Sequence, residues 1–180
     1  MEVLSSLQHN MHQLVFEFLE QSIEEAKAGY CTNIEITLLP EGRIKISDNG
    51  RGLPLSEDLH ASKEVLEKIL AGSPITNAEY SQMGDLIQAG LQTVNSLCET
   101  LQITVKRDGK TFQQDYIRGI AQHELYINRL EGSLGTEVIL KPDTSIFGNE
   151  KFSSEILNEW LKHKIGNMDN IKVDVISSKE

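Results

Sequence analysis

Long apolar runs, cysteine pairs and basic clusters are all missing from this chain, and each absence closes off a class of protein. No stretch of about 18 apolar residues exists that could cross a bilayer. The N-terminus is polar and carries an acid, so it does not read as a secretory signal. The two cysteines, Cys31 and Cys98, have neither metal-type spacing nor a disulfide framework around them. His9, His12, His60, His123 and His163 show no ligand spacing and read as structural or exposed. Basic residues number 17 against 27 acids, a formal charge of -10, which argues against a surface built to neutralise nucleic-acid phosphates. These features predict a reduced, cytoplasmic protein with no membrane association and no direct nucleic-acid contact.

What is present is an ordinary globular composition, 39% hydrophobic and 24% charged, over a length that fits one domain across residues 1–180. Residues Leu4 to Ala28 keep apolar positions at helical spacing, with Gly29 as the stop. Asn33 to Leu39 alternates as a strand, and Pro40-Glu41-Gly42 turns into a second strand ending at Asp48. Helices are predicted over Lys63 to Leu70 and Asp85 to Leu97. Four strands follow at Thr100–Arg107, Thr111–Arg118, Glu124–Leu130 and Thr136–Lys141, then a helix from Ser153 to His163 and a last strand from Ile171 to Ile176. The order predicts an α+β fold, a two-layer sandwich with helices on one face of a mixed, mostly antiparallel sheet.

Three short segments carry chemistry. On the first helix Glu17 and Gln21 are four residues apart and point from one face. A carboxylate and an amide oxygen stacked in this way can polarise a water and offer oxygen to a hard metal ion, or can simply form a solvated stripe. The second segment, Asp48-Asn49-Gly50-Arg51-Gly52-Leu53-Pro54, puts an acceptor at a strand end and then two glycines that let backbone approach a planar ring. The same residues also fit a tight Asn-Gly turn. In the third, Gly135-Thr136 sets a hydroxyl at the start of an apolar strand, which is either turn chemistry or a partner for a water shared with Asp48.

In this order and spacing the segments resemble the GHKL ATPases, and within them the N-terminal ATPase subdomain of DNA gyrase B and topoisomerase IV. The resemblance runs from about Met11 to Val175. It takes in Leu14-Val15-Phe16-Glu17, the run Ile23 to Cys31, the Asp48 loop, Val94-Asn95-Ser96-Leu97 and Gly135-Thr136. It implies ATP or ADP as ligand, with Mg2+ at Gln21. Glu17 would be the general base, and Asp48 the acceptor for the adenine amino group. Thr136 would share a water with Asp48, Ile46, Leu53 and Val138 would line the adenine slot, and Gly50 and Gly52 would admit the base. Glu25 and Arg51 look like the family's ion pair beside the pocket.

Departures from the family pattern set a further expectation. Gln21 stands where the family has asparagine, and its extra methylene must be absorbed by an ion that demands short, nearly octahedral contacts. The phosphate lid corresponds to Gly84 through Gly90, where Asp85 and Gln88 have the spacing of a capping box that would occupy amides otherwise meant for phosphate. Pro74 replaces a lysine. The family's dimerising arm and its transducer domain find no counterpart. The expectation is a nucleotide-binding domain with hydrolysis weak or absent in isolation, homodimeric or bound to another protein. If active, its ATP hydrolysis would serve DNA topology. The alternative is a degenerate pseudo-ATPase retained as an interaction module.

Overall fold

Apolar residues three and four apart wind the first segment into α1 (Ser6–Lys27), which buries Met11, Leu14, Val15, Phe18, Leu19, Ser22, Ile23 and Ala26 along one stripe. The structure is a computed structural model, describing residues 6–53, 55, 58–70, 90–129 and 132–178. After α1 the chain reverses at Gly29, whose φ of 85° suits a residue without Cβ. Strands β1 (Asn33–Leu38) and β2 (Ile44–Asp48) follow, joined by a 3-10 turn at Pro40–Gly42. Then come α2 (Leu59–Ile69), α3 (Leu91–Ser96), β3 (Cys98–Arg107), β4 (Lys110–Ile117), β5 (Ile120–Ala121), β6 (Tyr126–Arg129), β7 (Gly135–Pro142), α4 (Thr144–Phe147), α5 (Ser154–Ile165) and β8 (Lys172–Ser177).

The strands form one sheet in the order β5-β4-β3-β7-β2-β1-β8, with β6 also on β4. Among the described residues every pairing is antiparallel except β1 with β8. The strands bury alternate residues, so one face meets the helices and the other meets solvent. This is the expected α+β sandwich.

Registry lines up the inner face in rows. One row runs Leu38, Ile44, Leu140, Leu101, Tyr116, and the next Ile36, Ile46, Val138, Ile103, Gln114. The third runs Ile34, Asp48, Thr136, Val105, Phe112. A carboxylate and a hydroxyl thus interrupt an apolar row, side by side, although 88 residues separate them in the chain.

Helix α5 closes the far side of α1. The Trp160 and Phe16 rings stack with centroids 4.3 Å apart and planes 2° from parallel. Buried His12 accepts from the backbone N–H of Ser153 at 2.9 Å, satisfying a donor at the helix start. Among the described residues, no helix is long and apolar enough to cross a membrane.

Several elements differ from the expectation for local reasons. Helix α2 begins at Leu59 rather than Lys63, because Asp58 accepts from the amides of His60 and Ala61 at its N-terminus. The helix expected over Asp85–Leu97 does not run through Gly90, which is extended (φ -61°, ψ 159°) and precedes α3. The expected Asp85–Gln88 cap and Pro74 lie outside the described residues. Short β5 was not expected from the sequence pattern and forms because Arg118 and Gly119, at φ 47° and 81°, turn the chain within two residues. Short α4, a single turn, is set by its N-cap Asp143, which accepts from the Ser145 amide.

Candidate functional site

The polar interruption on the inner face is tightly built. Asp48 Oδ2 accepts from the Ser22 hydroxyl at 2.7 Å, and Oδ1 accepts from the amides of Gly50 at 2.9 Å and Thr136 at 3.3 Å. Helix α1, the Asp48 loop and β7 therefore converge on one carboxylate. Asn49, next in the chain, faces the other way and ties the loop to β1. Its Oδ1 accepts from the amides of Thr32 and Asn33, each at 2.9 Å, and its Nδ2 donates to Thr32 Oγ1. The sequence read as an Asn-Gly turn is a stitched strand end rather than a hairpin.

Two glycines are required by space. A Cβ on Gly52, where φ is 75°, would lie 2.7 Å from Val105 Cγ1. A Cβ on Gly135, where φ is 147°, would lie 2.0 Å from the backbone oxygen of Asp48. Gly50 is tight as well, its Cβ position being 3.2 Å from Asp48 Oδ1.

Beside this carboxylate opens a cavity of about 240 Å³. Of the residues singled out from the sequence, Ile46, Asp48, Gly52, Leu53, Thr136 and Val138 line it, and so does Gln21. Gly50 stands behind Asp48, and Glu17 is not part of the wall. Gly90 is exposed at the start of α3, and its neighbour Leu91 reaches the cavity. Gly84 lies outside the described residues.

Sequence reasoning missed Phe18, Ser22, Ile69, Leu70 and Ile103, all of which line the cavity. Ser22 had a readable signal, since it is a hydroxyl set within the apolar stripe of α1. Leu70 and Ile69 arrive by packing that no local pattern encodes. They are held there by α3. Gln92 Nε2 donates to the carbonyls of Glu67 (3.1 Å) and Lys68 (3.0 Å), and wholly buried Asn95 donates to that of Leu70 (2.7 Å). Among the described residues, Asn95 Oδ1 is a buried side-chain acceptor left without a partner.

Charge around the rim is arranged by α1. Glu25 receives Arg51 in a two-pronged pair (2.9 and 3.1 Å) and also the Arg51 amide at 3.1 Å. The Arg51 guanidinium lies 3.5 Å from the Tyr30 ring centroid. Arg51 holds the Glu25 carboxyl below the ordinary glutamate range through that hydrogen bonding. Arg107 secures the loop from its other side, donating to the Leu53 carbonyl at 2.7 Å. Glu17, half-buried, has its pKa raised, first by burial and then by neighbouring Glu20, with Lys164 pulling the other way.

A carboxylate acceptor, a nearby hydroxyl, two glycines at closest approach and an apolar slot suit a flat heterocycle bearing an exocyclic amine. The profile of the histidine kinase-, DNA gyrase B- and HSP90-like ATPases matches residues 7–146. The chain belongs to that family.

Relatives place it near one branch of these ATPases. The DNA gyrase B protein of Borrelia hermsii is 33% identical over 171 residues, covering 93% of this chain and 27% of that protein. The DNA gyrase B protein of Thermotoga maritima is 34% identical over 178 residues, covering 97% of this chain and 28% of that protein. The chain thus spans little more than a quarter of the length of these curated relatives. The 43K ATPase domain of Thermus thermophilus gyrase B, solved with an aminocoumarin, superposes with a TM-score of 0.75 at 29% identity, over 92% of this chain and 43% of that one. The Francisella tularensis topoisomerase IV ATP binding domain, solved with a small-molecule inhibitor, has the same fold. Its TM-score is also 0.75, at 22% identity over 93% of this chain and 81% of that one.

Proposed function

We propose that this GHKL domain binds an adenine nucleotide with the base in the Asp48 cavity, and that on its own it turns ATP over weakly or not at all. The observation that carries the reading is the Asp48 carboxylate, held by donors from three elements at the wall of an apolar slot. Its remaining acceptor capacity would take the adenine amine, the Thr136 hydroxyl would take a shared water, and Ile46, Leu53 and Val138 would pack the ring. Gly52 lines the slot, and with no Cβ its backbone would lie open to the ring edge. Glu17 would serve as the base for a hydrolytic water, its raised pKa making it a stronger acceptor of protons than an exposed glutamate.

Magnesium is ordinarily held by one or two protein oxygens together with phosphate oxygens. By its likeness to the family, the protein's offer here would be the Gln21 amide oxygen, at the wall of the cavity. When bound, the ion would neutralise phosphate charge. The weak-turnover reading rests on Gln21, longer than the family's asparagine, and on Asp85 and Gln88 in the sequence segment that corresponds to the lid. In a longer protein of gyrase type, this domain's nucleotide cycle would drive strand passage while leaving DNA contact to other parts. That division suits a chain with a charge of -10.

A second reading, an interaction module that no longer turns nucleotide over, is favoured by the formal charge of -10 and by the altered lid sequence at Asp85 and Gln88. Calorimetric titration with ATP, ADP and a non-hydrolysable analogue, with and without magnesium, separates the two. Heat with all three at similar affinity supports the first reading. No heat with any overturns nucleotide binding and leaves the second. Steady phosphate release abolished by Glu17→Ala would overturn the weak-turnover claim.

A further inference from the structure

Helix α5 brings one cation to the acidic side of α1 away from the adenine slot. The Lys164 ammonium lies 2.5 Å from Glu20 Oε1. It is also 5.3 Å from the ring of Trp160, which is itself stacked on Phe16 of α1. Glu20 is three residues beyond Glu17, so the two carboxylates are neighbours on the helix surface. We infer that Lys164 is a positioning residue for the Glu17 carboxylate, acting through Glu20.

The argument is electrostatic and local. Two carboxylates one helical turn apart repel, and each favours protonation of the other. Pairing Glu20 with Lys164 cancels much of that repulsion and draws the Glu20 carboxylate toward α5. The ion pair is half-exposed, with 44% and 46% of the two side chains accessible, so it adds little stability. Its effect lies in where it pins a charge. Trp160 and Phe16 fix the helix pair, and Lys164 follows Trp160 by one helical turn, so the ammonium is delivered to this spot by packing.

Other elements packed on α1 do not compete for the role. Helices α3 and α4 carry no charged residue. On β2, Lys45 pairs with Glu35 and Asp48 is held by Ser22. The charges that act on Glu17 are Glu20 from its own helix and Lys164 from α5, and both directions agree with the geometry.

This inference rests on Glu17 being the base of the proposed site, and the test keeps the two apart. The Glu17 carboxyl is titrated by NMR in nucleotide-free protein for the wild type, Lys164→Met, Glu20→Gln and the double variant. Lys164→Met should move the Glu17 midpoint up, and Glu20→Gln should move it down. In the Glu20→Gln background Lys164→Met should move it much less, because an unanchored lysine is screened by solvent. An unmoved midpoint in Lys164→Met, or an equal shift in both backgrounds, overturns the inference. A coupled shift in a protein that gives no heat with nucleotide breaks the functional reading instead, and leaves Lys164 as a tuner of an acid with another use.

Discussion

The two ends of the candidate site are made in opposite ways. At the adenine end, Asp48 takes three donors from three elements, and glycines are set by contacts that leave no room for a side chain. At the α1 end, Gln21 is exposed and Glu17 is half-buried, its pKa raised first by that burial and then by neighbouring Glu20. A site whose atoms are fixed by covalent backbone and buried bonds resists drift. One that depends on the reach of a long side chain can change by a methylene without disturbing the fold. On the proposed reading, recognition of the base would be built into folding here, whereas the part of Gln21 and Glu17 would depend on side-chain reach and surrounding charge.

Substitutions can break that contrast, beginning with the most severe. Gly135→Ala should cost about 3 kcal/mol or more, because the new methyl collides with the Asp48 carbonyl and forces β2 and β7 apart. Urea unfolding at neutral pH measures the loss, and a near-neutral result would remove Gly135 from the argument. Asp48→Asn should weaken nucleotide binding by roughly 10–100-fold, the scale of a hydrogen bond to a charged group. Calorimetry reads this, and unchanged affinity would take Asp48 out of the site.

Milder changes test how deeply each end is anchored. Ser22→Ala removes the donor to Asp48 Oδ2 and should cost about 1 kcal/mol in stability or binding. Both unfolding and titration unchanged would mean that water substitutes freely for the hydroxyl. Gln21→Asn should raise nucleotide affinity a few-fold in magnesium and leave it alone without the ion. An equal gain in both conditions would detach Gln21 from metal binding.

The smallest effect concerns the rim. The folded pKa of Glu25 lies below the ordinary 4.5, chiefly through its hydrogen bond to Arg51. The pair therefore adds stability above the unfolded pKa, and that contribution disappears as pH falls through the lower folded value. Arg51→Met should flatten this part of the stability-pH curve below about pH 4.5, within the few tenths of a kcal/mol usual for exposed pairs. A wild-type curve reproduced by the variant would show that the pair is ornamental to stability.

Much of this was legible in the sequence, and the reasons are physical. Strand periodicity and turn glycines announced β1, β2, β3, β4 and β7, since alternation records which face is buried. Asp48, Gly52 and Thr136 could be named as candidates because their order and spacing together resemble the GHKL ATPases, although each segment alone also fits turn chemistry. Leu70 and Ile69 could not, because the end of α2 is tied in place by the amides of Gln92 and Asn95 more than twenty residues away. The extent of α2 turned on Asp58, a cap that reads as any loop acid until its helix is seen. Neither could spacing show that Glu17 stands off the wall while Gln21 lines it.

The pairing of Asp48 with Thr136 has one more consequence, for how the chain folds. Slide β7 by one residue against β2 and the sheet would keep a ladder of backbone bonds, yet Glu137 would turn inward and Thr136 outward. Such a chain would carry ordinary secondary structure and no slot for a base. Binding of an adenine nucleotide would therefore act as a proofreading signal for strand alignment, drawing molecules toward the aligned sheet by mass action. The β2–β7 pairing, which joins residues 88 apart in the chain, is thus the pairing that brings the pocket into being.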